Sequence, residues 1–130
     1  MSYISFHNHD TKSLLDSCLK VKDLVKWAKA NKMNSVGVTN HGEMSSHLEL
    51  YKECKKQEIK PLLGIEFYVT ENKVNEDGSK VRDNWHLIAI AKNLVGWHNM
   101  IKLHNLSFKN NRYYYNPRIT LEELCQYKEG

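Results

Sequence analysis

The chain has 130 residues, of which 41% are hydrophobic and 26% are charged, and 19 basic residues against 15 acidic ones give it a net charge of +4. These values are typical of one globular domain or part of one, and they exclude a disordered tail, a collagen-like repeat and a coiled coil. The mild positive charge is compatible with a nucleic-acid partner without demanding one.

The sequence lacks the features of membrane and secreted proteins. No apolar run reaches the length of about 18 residues that suggests a membrane span, so no membrane partner is expected. The opening residues MSYISFHNHD are too polar for a secretory signal, and we predict a cytoplasmic protein. Cys18, Cys54 and Cys125 are widely spaced and form no CxxC pair, which favours buried free thiols over a zinc or disulfide framework.

Strands and helices alternate in the predicted element order. The segment after the first strand is a predicted helix, because Val21, Leu24, Val25 and Ala28 place apolar side chains on one face. A second helix is predicted to begin with a capping box at Ser46–Glu49. The other predicted elements are strands at Tyr3–His7, Ser35–Thr39, Pro61–Thr70 and His86–Ala91, a third helix at Leu94–Phe108 and a fourth helix with a capping box at Thr120–Glu123.

This order predicts an α/β fold with a largely parallel sheet. A closed eight-fold barrel takes about 250 residues, so a chain of about half that length would form either an open sheet or the first part of a larger barrel. Asp77-Gly78, inside the polar insertion Glu71–Asn84, favours a hairpin. The last strand would then run antiparallel to Glu66–Thr70 and return His86 to the edge where the parallel strands end.

Histidines stand where predicted strands end. His7 and His9 have the i, i+2 spacing that turns two strand side chains to one face, where both can bind one metal ion. Alone, this pair is equally compatible with two hydrogen-bonded surface histidines. His41 follows the apolar strand and precedes Gly42, at the edge where ligand sites of parallel α/β folds gather; the alternative is a surface turn residue.

Two carboxylates complete the predicted constellation. Glu66 interrupts an apolar run, and a buried carboxylate is costly unless it is paired or binds a metal, although a solvent-facing Glu would fit an edge strand. Asp16 precedes the first helix, where the alternative role is that of an N-cap. Histidines mixed with carboxylates favour zinc, manganese or iron. Paired ions of this kind catalyse phosphoester hydrolysis, which is the chemistry that we predict.

The segment Lys109–Tyr115 (KNNRYYY) combines basic and aromatic residues. Such a mixture can stack nucleic-acid bases. A packed aromatic segment between helices is the plainer alternative, and both interpretations rest on the same residues.

Five segments together resemble one known family. The stretches FHNHDTKSLLDS, VGVTNHGEMSS, KPLLGIEFYV, HLIAIAKNLVGWHNMIKL and YYYNPRITLEELCQYKEG occur in the order found in the polymerase-and-histidinol-phosphatase (PHP) domain at the N-terminus of bacterial-type DNA polymerase III alpha subunits. The resemblance covers nearly all 130 residues. The YY-x-PRI stretch is specific to the polymerase branch.

The resemblance implies a (β/α)7-type PHP barrel, of which residues 1–130 would be about the first half, with a cluster of divalent metal ions at one mouth. A complete domain would hold two or three zinc, manganese or iron ions. The family usually has Asp before the turn histidine, and Asn40 in its place would orient a ligand less firmly. The implied metal ligands of this part are His7, His9, Asp16, His41, Glu66 and His86.

The resemblance places the later family ligands, a Cys/His set and an Asp-x-His pair, after Gly130, together with the palm, thumb and fingers of the polymerase. We therefore expect no polymerase active site in these residues. An excised fragment, one product of a split or interrupted gene and a stand-alone relative all fit the length. Because a half barrel exposes a sheet edge and apolar faces, we expect the rest of the polymerase as the same or a separate chain, a homo-oligomer, or low stability.

The implied function is DNA replication, with DNA as a partner and the polymerases of the family as nucleotidyltransferases. In some relatives the domain is a metal-dependent 3′→5′ exonuclease, a phosphoesterase activity. In others the ligands are partly lost, and the domain stabilises the polymerase or docks a separate proofreading enzyme. Two alternatives stay open: a non-catalytic structural or interaction module with a remnant metal site, and a small metal-dependent phosphatase, against which the segment Tyr113–Ile119 counts.

Overall fold

The computed structural model describes residues 3–72, 77–79, 81–109 and 112–130. None of the helices in these ranges is long and apolar enough to cross a membrane. The elements in chain order are α1 (Val21–Ala30), β1 (Ser35–Val38), α2 (His47–Gln57), β2 (Lys60–Thr70), β3 (Trp85–Ile90), α3 (Leu94–Ser107), β4 (Arg118–Thr120) and α4 (Leu121–Gln126).

Strand β2 is the central strand of the sheet. β1 pairs in parallel with its first half, from Ser35 opposite Lys60 to Val38 opposite Leu63. β4 pairs in parallel with its last residues, and β3 runs antiparallel to it along residues 64–69. The predicted α/β class and the antiparallel return of the strand that carries His86 are confirmed. This mixed sheet fits the first part of a PHP-type barrel.

Part of the predicted hairpin insertion is described. Gly78 has a φ of +80°, a left-handed conformation that glycine adopts without a steric penalty. Asp77 accepts a hydrogen bond from Ser79 N through Oδ1 at 2.9 Å. The remainder of the predicted turn, residues 73–76 and 80, lies outside the described residues.

The prediction of a regular strand at Tyr3–His7 is wrong. One isolated parallel bridge forms at Ser5, where Gly37 N donates to Ser5 O at 2.9 Å. The next backbone hydrogen bond runs from Thr39 N to Asn8 O at 2.8 Å. From one bond to the next, the N-terminal segment advances by three residues, from Ser5 to Asn8, whereas the segment that contains β1 advances by two. The Asn8 side chain donates to Gly37 O at 2.8 Å. One extra residue thus interrupts the ladder, as in a β-bulge.

Gly37 lets this N-terminal segment approach β1 closely. A Cβ atom at Gly37 would lie 3.0 Å from Phe6 O and 3.1 Å from Leu62 O. Both are backbone atoms held in place on opposite sides of the strand, so neither can easily give way. A residue without a side chain therefore positions the segment that carries His7 and His9.

The apolar core has two clusters, one under each part of the sheet. Along β2 the buried residues Ile65, Phe67 and Val69 alternate with Glu66 and Tyr68, so the opposite face of this strand carries polar side chains. The first cluster packs α1 and α2 on β1 and comprises Val21, Leu24, Val25, Ala28, Met33, Val36, Val38, Leu50, Cys54 and Ile59. The second packs α3 on β2 and β4 and comprises Ile65, Phe67, Val69, Met100, Leu103 and Ile119.

The predicted helix signals have mixed outcomes. Helix α1 buries its four predicted apolar residues, and Thr120 and Glu123 form the predicted capping box of α4. The capping box at Ser46 is wrong. The Ser46 backbone is itself helical (φ −83°, ψ −10°), and its hydroxyl accepts a hydrogen bond from Asn40 Nδ2 at 3.2 Å instead of capping α2.

The three cysteines are free thiols. Cys54 is buried in α2, as predicted. Cys18 and Cys125 are exposed, which corrects the prediction of buried thiols, because Cys18 lies in the loop before α1 and Cys125 on the outer side of the short helix α4.

Candidate metal centre

The six predicted ligand side chains come together where the chain leaves β1, beside the middle of β2. The predicted convergence on one site therefore agrees with the geometry, whereas metal binding by these residues stays a prediction. The N-terminal segment supplies His7 and His9, the loop before α1 supplies Asp16, the turn after β1 supplies His41, β2 supplies Glu66 and β3 supplies His86.

The register of the sheet brings His41 beside Glu66. These two residues form a parallel bridge, in which Gly42 N donates to Glu66 O at 2.9 Å and Glu66 N donates to Asn40 O at 3.1 Å. Gly42 has a φ of +61°, and a Cβ atom there would lie 2.6 Å from Pro117 Cγ. Glycine is therefore needed for the turn that places His41.

Glu66 is the central residue of the site. Its Oε2 atom lies 3.2 Å from His7 Nε2, 2.9 Å from His9 Nε2 and 3.5 Å from His41 Nδ1. Its Oε1 atom lies 2.7 Å from His86 Nδ1. Only 4% of Glu66 is exposed, so one buried carboxylate has four imidazole rings around it.

Asp16 joins the cluster from the opposite side of His9. Its Oδ2 atom lies 2.9 Å from His9 Nδ1 and 3.7 Å from His41 Nε2. The alternative role of a helix N-cap does not apply, because Lys20 is the N-cap residue of α1. The Asp16 side chain is half exposed, at 47%, so this part of the cluster is open to solvent.

Electrostatics favour an ionised Glu66 carboxylate beside a neutral His41 ring. Burial alone would raise the pKa of Glu66, but the hydrogen bond from His86, the electrostatic interaction with His41 and the hydrogen bond from His7 outweigh it and lower the pKa. Burial lowers the pKa of His41, helped by the neighbouring His9 and His86 and opposed by Glu66. Carboxylates and neutral imidazoles are the protonation states that bind metal ions.

The donor set fits a transition-metal ion. Imidazole nitrogens combined with carboxylate oxygens suit zinc, manganese or iron better than calcium. In addition, His41 Nδ1 is buried and has no hydrogen-bond partner among the described residues, so a buried nitrogen points into the cluster unused. Three overlapping groups have ligand atoms within 4.8 Å of one another: His7, His9 and Glu66; His9, Asp16 and His41; and His41, Glu66 and His86.

Sequence reasoning predicted that Asn40 supports the ligands, but it missed Asp10 and Ser13, which form a buried polar network with Asn40 behind the cluster. Ser13 Oγ lies 2.9 Å from His9 Nδ1, accepts from His41 N at 3.2 Å and donates to Asn40 Oδ1 at 3.2 Å. Asn40 Nδ2 donates to Asp10 Oδ1 at 2.9 Å. The only signal was the polar run Asp10–Ser13 after His9, which has the composition of an ordinary loop.

Tyr68 is a second residue that sequence reasoning missed. Its ring stacks on His41 with a centroid distance of 5.7 Å and packs edge-on against His86 at 4.9 Å. Burial, with Glu66 and Asp16 nearby, raises the pKa of its phenol. Its position two residues after Glu66 could have identified it, because residues at this spacing in a strand have their side chains on the same face.

Comparisons with known proteins show which family and which proteins this chain is similar to. The family model of the PHP domain matches residues 5–130. The DNA polymerase III subunit alpha of Borreliella burgdorferi is 38% identical over 98% of this chain, which corresponds to 11% of that protein. The protein of the same name from Aquifex aeolicus is also 38% identical over 98% of this chain, or 12% of that protein. The chain thus spans about a tenth of the length of these curated relatives.

One solved structure is also similar. An amidohydrolase from Chromobacterium violaceum aligns over 79% of this chain and 33% of its own, with a TM-score of 0.49 and 15% sequence identity.

Proposed function

This chain belongs to the PHP domain family, and we propose that it forms the metal-binding part of such a domain in a DNA polymerase III alpha subunit, acting in DNA replication. We also propose that its metal centre hydrolyses phosphodiester bonds at a DNA 3′ end, as a 3′→5′ exonuclease. Similarity to relatives named DNA polymerase III subunit alpha supports the first part of the proposal. The geometry around Glu66 supports the second.

The observation that carries the chemical proposal is the placement of four imidazole rings within 3.5 Å of one buried carboxylate. A buried carboxylate is costly unless it is paired with a positive charge or binds a metal ion. Glu66 and the surrounding histidines His7, His9, His41 and His86 would hold a divalent cation, which would supply that positive charge. The lowered pKa values of Glu66 and His41 favour this loaded state.

The ligand atoms divide between two sides of Glu66. Oε2 faces His7 and His9, and Oε1 faces His86, so both oxygens of Glu66 face imidazole rings that would hold metal together with it. Bound divalent ions supply the activation of water and the neutralisation of phosphate charge that phosphoester hydrolysis requires. The Tyr68 ring fixes the planes of His41 and His86 on the sheet side.

Two measurements on the purified chain test this proposal together. The first is the zinc, manganese and iron content by mass spectrometry of the metals. The second is the release of label from a 3′-labelled single strand, with each metal and with a chelator. Metal bound near stoichiometry and chelator-sensitive loss of label would support the exonuclease. A chain that stays metal-free and leaves the label in place when all three metals are supplied would overturn it.

Two matched variants test whether metal binding and label release depend on the site itself or on the net charge of the protein. Glu66→Gln keeps the shape of the side chain and removes its charge, so we expect loss of both bound metal and label release. Glu49→Gln makes the same change on the exposed side of α2 and should behave as the unaltered chain. If the chain binds metal but leaves the DNA intact in every condition, the result would favour the alternative of a non-catalytic structural or interaction module. Release of phosphate from small monoesters alone would favour a phosphatase.

A further inference from the structure

We propose that a pocket beside the candidate metal centre binds the backbone phosphate of single-stranded DNA and stacks an adjacent base on Tyr115. This proposal rests on the proposed function, because it describes how a strand would reach the metal centre. The pocket, here called the β4 pocket, has a volume of about 310 Å³. It is lined by Arg82, Asn84, Tyr114, Tyr115, Asn116 and Arg118.

The sheet register places the β4 pocket next to the metal centre. Arg118 on β4 is the register partner of Tyr68 on β2, which is in turn the register partner of His86 on β3. Register partners project to the same face of a sheet, and neighbouring strands are about 5 Å apart. Arg118, Tyr68 and His86 therefore form a row across the sheet, on the face that also carries Glu66.

Arg118 provides a buried cation with unused hydrogen-bonding capacity. Only 6% of the residue is exposed. Its Nη2 atom donates to Arg82 O at 3.2 Å, and its guanidinium carbon lies 5.6 Å from the centre of the Tyr114 ring. Its Nε atom is buried and has no hydrogen-bond partner among the described residues. A buried guanidinium with a free donor is suited to an anion, and a phosphate oxygen matches its geometry.

Tyr115 provides an exposed aromatic surface at the rim of the same pocket. It is 80% exposed, and its ring lies edge-on to that of Tyr114 at a centroid distance of 4.6 Å. Its backbone has a φ of +60°, an unfavourable conformation for a tyrosine that presents the ring to solvent instead of the core. Strain of this kind concentrates at binding sites. An exposed aromatic ring of this kind can stack against any nucleic-acid base.

The combination of groups favours a nucleic-acid strand over a small phosphate compound. Arg118 is buried and Arg82 is exposed, and both line the β4 pocket, so the pocket offers a path with two cations. A strand offers successive phosphates and bases to such a path, and a monoester offers one phosphate. Of the two interpretations of the segment Lys109–Tyr115, we therefore favour base stacking, with Tyr115 as the stacking residue.

Binding in the presence of a chelator tests this proposal apart from catalysis. Fluorescence anisotropy of a labelled oligothymidylate would be compared with that of an abasic strand of the same length. Tyr115→Ala should weaken binding of the base-bearing strand by about 5-fold or more and leave the abasic strand unchanged, because stacking contributes on the order of 1–3 kcal/mol per base. Tyr115→Phe should retain the affinity. Arg82→Ala should weaken both strands and make binding less sensitive to salt.

Two variants on α2 serve as matched controls. Tyr51→Ala removes a partly exposed tyrosine, and Lys52→Ala removes an exposed positive charge; neither should change the affinity. Absence of strand binding, or an equal loss in the control variants, would overturn the proposal. If the chain releases the 3′ label with metal but does not bind the strand without metal, the proposed role of the β4 pocket is wrong and the exonuclease proposal still stands. Binding that depends on Tyr115 and Arg82 in a chain without hydrolytic activity would support the pocket and count against the exonuclease.

Discussion

Asn40 donates a hydrogen bond from Nδ2 to Asp10 Oδ1 at 2.9 Å, and Asp10 N donates one back to Asn40 Oδ1 at the same distance. Both residues are almost fully buried, at 2% and 1% exposure. The family resemblance places a carboxylate at position 40, where this chain has an amide. The structure therefore supplies a buried carboxylate beside the site from Asp10, with Asn40 as its neutral partner.

Asn40→Asp should destabilise the protein strongly. The Asn40 Nδ2 group serves three acceptors, which are Asp10 Oδ1, Glu43 Oε1 and Ser46 Oγ. A carboxylate in its place would remove these donors and face two other carboxylates in a buried space. We expect the free energy of unfolding to fall by about 3 kcal/mol, measured by urea unfolding at pH 7 without metal.

The exchanged pair provides the decisive control for this prediction. Asp10→Asn combined with Asn40→Asp restores one amide and one carboxylate, and it should recover a large part of the lost stability. Asn34→Asp, the same change at an exposed position, should have little effect. A double variant no more stable than Asn40→Asp alone would show that the carboxylate cannot be exchanged between the two positions.

Ser13→Ala should weaken metal binding without unfolding the chain. The Ser13 hydroxyl lies 2.9 Å from His9 Nδ1 and accepts a hydrogen bond from His41 N at 3.2 Å, so it orients two predicted ligands. Loss of such supporting bonds typically lowers metal affinity by about 10- to 100-fold. Titration calorimetry with manganese or zinc would measure the change. Ser45→Ala, at an exposed serine nearby, should bind as the unaltered chain does; an equal loss there would contradict the role of Ser13.

Much of the site could be predicted because its residues interrupt strong patterns. Glu66 breaks an apolar strand, His41 follows another, and Asp77-Gly78 predicts the reversal that returns His86 to the same edge. Each signal depends on local chemistry within a few residues.

What the sequence did not reveal depends on long-range contacts. The segment Tyr3–His7 has the alternation of a strand, but the Asn8 side chain takes the Gly37 carbonyl and interrupts the ladder. Ser46 has the signature of a capping residue, yet its hydroxyl accepts from Asn40 instead. Asp10 and Ser13 are ordinary loop residues until folding buries them. In each case a polar side chain has two available partners, and only tertiary structure selects between them.

Acid should destabilise the fold through His47, which is not one of the predicted ligands. Its Nε2–H donates to Gly64 O at 2.8 Å, and its Nδ1 accepts from Trp97 Nε1 at 3.3 Å, so the buried ring is neutral. Burial lowers its pKa below the usual 6.5, although the Gly64 carbonyl and Glu43 act against this and His104 adds to it. The unfolded chain therefore binds the proton more readily than the folded chain.

The neutral His47 ring therefore contributes fully to the free energy of unfolding above pH 6.5. This contribution is lost as the pH falls from 6.5 toward the lowered pKa of His47 in the folded state. Urea unfolding followed by tryptophan fluorescence between pH 7.5 and 5.5 would measure it. His47→Gln retains a donor for Gly64 O and removes the titrating ring, so its stability should fall less over this interval. An identical pH dependence in the two proteins would contradict the assignment to His47.

Thr120→Ala should cost about 1 kcal/mol of unfolding free energy, because it removes half of the capping box of α4. Thr120 Oγ1 accepts from Glu123 N at 3.2 Å, and Glu123 Oε2 accepts from Thr120 N at 3.0 Å and pairs with Arg112. Thr120→Ser keeps the hydroxyl and should retain most of the stability in the same urea titration. Thr11→Ala, at an exposed loop position, should change it little. An equal loss in the serine and alanine variants would show that the threonine methyl group, packed at the end of β4, stabilises this helix start and that the hydrogen bond does not.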